Sequence, residues 1–85
     1  MKYTVYMILS KINGRNISYV GYTNNLKKRL VLHNTSKGAK FTKGKKWKLV
    51  YSKKYLTKSL AMKEEYSLKN DKKRRNNLKL KYIDN

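Results

Sequence analysis

The stretch YTVYMILSKINGRNISYVGY, from Tyr3 to Tyr22, consists of two alternating runs separated by Asn13-Gly14. In the first run Tyr3, Val5, Met7 and Leu9 share one face and Thr4, Tyr6 and Ile8 the other. Its richness in aromatic and branched side chains marks residues 2–9 as a strand. Asn13-Gly14 is a turn signal, because both residues tolerate positive φ, and Ile17 to Tyr22 resumes the strand pattern as the second arm of an antiparallel hairpin. A two-residue turn sets Tyr6 opposite Gly21 with Tyr19 diagonal to it, which puts both phenols on one face.

Beyond the hairpin, Thr23, Asn24 and Asn25 offer N-caps for a helix running to about His33, with Leu26 and Leu30 inward and Arg29 and His33 one turn apart. Residues 34–46 break all periodicity. They contain Gly38, Gly44, five lysines and a single Phe41, the composition of a basic loop. Trp47 to Tyr55 predict a third strand, Thr57 caps a helix through about Asn70, and the Lys/Arg cluster at 72–75 leads into a weak terminal helix containing Leu78 and Tyr82. The order β-β-α-β-α-α makes a small α+β layer.

Eighty-five residues hold one domain, 1–85, with no room for a second core. A hydrophobic content of 39%, ten aromatics and no proline argue for a folded unit despite a net charge of +19. The absence of cysteine excludes disulfides and thiolate metal sites, and a lone His33 excludes a histidine-cluster zinc site. Nothing approaches the apolar length of a membrane span or a signal peptide, so the expected setting is cytoplasmic, without membrane insertion.

Residues 1 to 63 contain sixteen lysines and arginines and no acid; the first carboxylates are Glu64 and Glu65. AT-rich codons explain many lysines, but glutamate also has one, so base composition does not account for the gap. So one-sided a field selects a polyanion, with nucleic acid ahead of an anionic membrane surface.

Phosphodiester chemistry needs a cation against developing charge, a base for water and a positive group on the phosphate. Arg29 offers a forked guanidinium, or is one exposed arginine among many. Tyr6 or Tyr19 is a base once surrounding cations and a metal lower its pKa, or a packing residue of a strand. Helical spacing leaves the acid open: Glu64 lies one turn from Leu60, Ala61 and Leu68, and Glu65 one turn from Ala61, Met62 and Leu68, so either can face inward. One such ligand suits a single Mg²⁺ or Mn²⁺ better than a two-metal clamp. His33 orients water or phosphate, or is a packed core histidine. Lys37, Lys40, Lys43, Lys45 and Lys46, with Phe41 and Trp47 interleaved, suit neutralisation of a DNA backbone with occasional base stacking, or form a solvated loop.

In order along the chain, Thr4-Val5-Tyr6, Tyr19-Val20-Gly21, Asn25-Leu26, Arg29-Leu30, His33-Asn34, Lys37-Gly38-Ala39-Lys40-Phe41-Thr42 and Ala61 to Tyr66 resemble the GIY-YIG nuclease family, particularly its small single-domain members. The resemblance covers a core of about residues 3–69 and leaves a basic C-terminal helix at 71–83. It implies a three-stranded antiparallel sheet flanked by helices and metal-dependent hydrolysis of DNA. Carried over, Tyr6 and Tyr19 form the water site, Gly21 permits close backbone approach, Arg29 stabilises the pentavalent phosphate, and Glu65, selected over Glu64, ligates the metal. His33 matches a position that small members share. The first motif departs from the family pattern at Thr4, where a glycine is expected, and the hairpin connection is slightly long. Asn77 is a counterpart for a further family asparagine. Without an attached DNA-binding domain, specificity falls to DNA structure, the basic loops or a protein partner. The competing function is a non-catalytic nucleic-acid-binding module.

Overall fold

The computed structural model describes residues 2–83. Strands β1 (Tyr3–Ile12) and β2 (Arg15–Thr23) form the hairpin; helix α1 (Leu26–Asn34), a 3₁₀ turn (Lys40–Thr42), strand β3 (Lys48–Tyr55), and helices α2 (Lys58–Lys69) and α3 (Lys72–Ile83) follow. The sheet is antiparallel in the order β2-β1-β3. The fold is therefore the α+β arrangement read from the sequence.

Asn13 and Gly14 have φ of 51° and 80°, and Ile12 pairs with Arg15 across them. Positive φ at both central residues gives the turn the twist of the flanking strands. Every pairing of the hairpin counts back from this turn, and Tyr6 lands opposite Gly21 as expected. The connection is a tight two-residue turn; the length noted in the sequence lies in the strands, which run further into the hairpin than the alternating pattern implied.

Because β1 is central, residues 4–10 are all buried. On one face Val5, Met7, Leu9 and Val20 pack with Ala61 and Leu68 of α2; on the other Tyr6, Ile8 and Trp47 pack with Leu26 and Leu30 of α1. Leu60 and Met62, placed inward by helical spacing, are about half exposed at 47% and 48%, so only Ala61 and Leu68 anchor α2. The terminal helix is a full 12 residues. Its start is secured by Asp71 Oδ1, which accepts from the Arg74 amide at 3.0 Å, while Arg74 Nη2 donates to the Tyr51 hydroxyl at 2.9 Å and Leu78 packs on the core. Among the described residues no helix is long and apolar enough to cross a membrane.

Trp47 precedes β3 and is buried, with its indole N–H donating to the Thr42 carbonyl at 3.0 Å and its amide donating to Asn34 Oδ1 at 2.6 Å. The expectation that Trp47 stacks on bases is therefore corrected: its ring closes the core under residues 34–46. Those residues are anchored from within at Thr42, which is also fully buried.

Candidate active site

The hairpin, α1 and α2 meet at an open cavity of about 470 Å³ whose walls include Tyr6, Tyr19, Gly21, Arg29, Lys58 and Glu65. Each arrives by a separate local cause. The type of turn at Asn13-Gly14 brings Tyr6 and Tyr19 to one face. Asn25 caps α1 by accepting the Lys28 amide at 3.1 Å, which sets the phase that turns Arg29 and His33 toward the sheet. Thr57 caps α2 by accepting the Leu60 amide at 3.1 Å, and the burial of Ala61 and Leu68 fixes the rotation of that helix.

That rotation separates the two acids which spacing left equivalent. Glu65 reaches the cavity, and its charge is felt at Tyr6; Glu64 is not among the lining residues, and its charge acts on Tyr55. The Glu65 side chain is only 18% exposed and pairs with Lys69 at 3.3 Å, one turn on. Among the described residues no three His, Cys, Asp or Glu side chains cluster as a metal cage. A hard cation here would bind Glu65 and otherwise oxygen from water or substrate, a donor set that suits Mg²⁺ or Mn²⁺.

Tyr6 is 1% exposed, and its hydroxyl lies 2.7 Å from His33 Nε2. Burial raises the Tyr6 pKa, and the Arg29 guanidinium beside it offsets this only in part. In the metal-free protein desolvation outweighs the surrounding cations, so Tyr6 holds its proton. His33 is fully buried behind Tyr6 and does not line the cavity; burial and the Arg29 charge both lower its pKa, which keeps the imidazole neutral. The Arg29 pKa is raised, chiefly by its polar contact with Tyr6, while its Nε is buried without a hydrogen-bond partner among the described residues. An orphan of this kind costs about 1–3 kcal/mol.

Gly21 is required by proximity. A Cβ there would come within 2.5 Å of the Tyr6 hydroxyl and 2.8 Å of its ring carbon Cζ. Gly21→Ala is expected to displace the phenol from His33 and to lower unfolding free energy in urea by about 1–3 kcal/mol, the usual cost of overpacking. An unchanged midpoint would show that the strands separate freely at this point.

The basic segment divides. Lys43, Lys45 and Lys46 join Lys11 and Lys48 around a larger groove of about 710 Å³ near the hairpin turn, with no acid in its walls among the described residues. Lys37 and Lys40 line neither this groove nor the cavity. Tyr82 also lines this larger hollow. Phe41 is half exposed, its ring centroid 6.1 Å from that of Tyr19 at an interplanar angle of 20°, and Lys45 lies over its face at 5.4 Å. Sequence reasoning missed Lys58, whose seven-residue offset from Glu65 gives them one helix face, and Thr42, for which an aperiodic loop carries no signal.

The arrangement defines a class. The model of the GIY-YIG catalytic domain matches residues 2–79, and the chain belongs to the GIY-YIG family, a nuclease-type domain. Within that family it is similar to UPF0213 proteins. One from Oceanobacillus iheyensis is 54% identical over 52 residues, 60% of each chain. Another, from Staphylococcus haemolyticus, is 42% identical over 69 residues, 80% of each. The solution structure of a UPF0213 protein from Bacillus halodurans superposes with a TM-score of 0.50 at 33% identity, covering 95% of this chain and 84% of that one.

Proposed function

We propose that the protein is a metal-dependent DNA endonuclease that hydrolyses phosphodiester bonds in the cavity bounded by Tyr6, Tyr19, Arg29 and Glu65. The observation that carries this is the convergence of two phenols, a guanidinium and a well-shielded carboxylate from four separate elements, opposite a glycine with no room for a side chain. A single Mg²⁺ or Mn²⁺ held by Glu65 would supply neutralisation of the charge that develops on the phosphate.

The chain's own groups supply the rest. Arg29 presents fixed N–H donors to the phosphate oxygens and stabilises the pentavalent state. Tyr19 orients the attacking water. Tyr6 takes a proton from that water as it yields its own to His33 at 2.7 Å, so the buried phenol never has to stand as a phenolate. The water oxygen bonds to phosphorus, the bond to the leaving sugar oxygen breaks, that oxygen takes a proton from solvent, and His33 returns its proton through Tyr6 to solvent, which restores the neutral imidazole. The uncompensated charge gathers DNA: Lys37, Lys40, Lys43, Lys45 and Lys46 neutralise backbone phosphates, Phe41 offers a ring to a base, and a protein partner adds what specificity these lack.

The test is incubation of purified protein with single-stranded, duplex and branched DNA, with Mg²⁺ or Mn²⁺ and with chelator. Cleavage of at least one substrate that stops with chelator is expected. Absence of metal-dependent cleavage on all of them would leave the non-catalytic binding module, for which the net charge of +19 suffices. Binding itself should be steeply salt-dependent. If about six phosphates are neutralised, affinity falls on the order of 10³-fold between roughly 50 and 200 mM salt through counterion release. A flat salt profile in fluorescence anisotropy would rule out backbone-led binding.

A further inference from the structure

The segment Lys37-Gly38-Ala39-Lys40-Phe41-Thr42 reads as basic loop, yet part of it faces the interior. Thr42 is fully buried, and a Cβ at Gly38 would sit 2.5 Å from His33 Nδ1 and 3.1 Å from the His33 Cα. The loop thus closes on the back of the imidazole, on the side away from Tyr6.

One assignment of protons satisfies every contact in the chain. Thr42 Oγ1 lies 2.8 Å from the Ala39 carbonyl; a carbonyl only accepts, so in that contact the hydroxyl donates. With that proton spent, Oγ1 accepts from His33 Nδ1 at 2.8 Å. A neutral imidazole has one N–H, which leaves Nε2 bare, and the 2.7 Å contact to Tyr6 is the phenol donating to Nε2. Neutrality follows from the surroundings: the ring is fully buried, both of its hydrogen-bonding partners are hydroxyls, and the Arg29 cation is nearby.

We propose that Thr42 is a positioning residue that sets the tautomer of His33 and, through it, the direction of the Tyr6 hydrogen bond. The phenolic proton is held inward, and the oxygen lone pairs are left to the cavity. In the opposite tautomer Nε2–H would donate to Tyr6, the hydroxyl proton would turn outward, and the phenol could not take a proton from water while passing its own to His33. The catalytic consequence rests on the nuclease reading, whereas the tautomer itself does not.

His33 is the sole histidine of the chain, so its ring nitrogens give unambiguous long-range ¹H–¹⁵N signals. Without DNA or metal, the unsubstituted protein is expected to show a protonated Nδ1 and a bare Nε2 at neutral pH. Thr42→Ser, which keeps the hydroxyl, should retain this pattern and the cleavage rate. Thr42→Val, which leaves Nδ1–H without an acceptor, should shift the ring toward the Nε2-protonated form and slow cleavage by about tenfold or more; Thr42→Ala replaces it if valine prevents folding. A protonated Nε2 in the unsubstituted protein, or an unchanged ring pattern without the Thr42 hydroxyl, overturns the proposal. The expected ring pattern in a protein that cuts no DNA would overturn the nuclease reading alone.

Discussion

Glu65→Gln is expected to lower DNA cleavage by about 10³-fold or more, equivalent to ~4 kcal/mol of transition-state stabilisation, while DNA affinity holds or rises. The substitution keeps the shape and removes one negative charge from the cavity shared with Tyr6 and Arg29. In the proposed site that charge is the protein's hold on the metal, so the loss falls on chemistry; with so little acid in the chain, its removal also takes away a repulsion toward phosphate. Glu64→Gln is the matched control, since Glu64 acts on Tyr55 instead. Cleavage of a labelled strand, measured beside anisotropy binding, checks both. If Glu64→Gln were the inactive variant and Glu65→Gln the active one, the rotation of α2 assigned here would be wrong.

Tyr6→Phe should cost about 10²–10⁴-fold in cleavage, the range for losing a positioned proton-transfer group. The ring sits in the core beside Ile8 and Trp47, and phenylalanine preserves that packing. What is lost is the hydroxyl at 2.7 Å from His33, leaving a buried ring nitrogen without its donor and reducing stability by about 1–3 kcal/mol. The variant should therefore remain folded by circular dichroism and still bind DNA. Full cleavage by Tyr6→Phe would remove the phenol from the proton path and pass the role to Tyr19, which lines the same cavity.

Much of the fold was legible because its signals are local. Alternation in Tyr3 to Leu9, the Asn13-Gly14 turn and the caps at Asn25 and Thr57 each depend on neighbours a few residues away, and each element formed where those signals lie. The facing of Tyr6 and Gly21 was legible for the same reason, since a two-residue turn leaves one register. Leu60 and Met62 were misplaced because helical spacing names two candidate inner faces and cannot say which one the sheet will cover.

The sequence by itself determined the hairpin, its register and a cationic surface with very few acids, because turn geometry and charge count need no knowledge of distant contacts. Helical spacing left Glu64 and Glu65 open and the family resemblance selected Glu65; only the tertiary structure put Glu65 into one cavity with Tyr6 and Arg29, through the burial of Ala61 and Leu68 against the sheet. It alone took Trp47 out of the surface, raised the Tyr6 pKa by burial, and brought Thr42 behind His33. Each of these depends on desolvation or on a hydrogen bond between residues far apart in the chain or in an aperiodic loop, and neither leaves a period in the sequence.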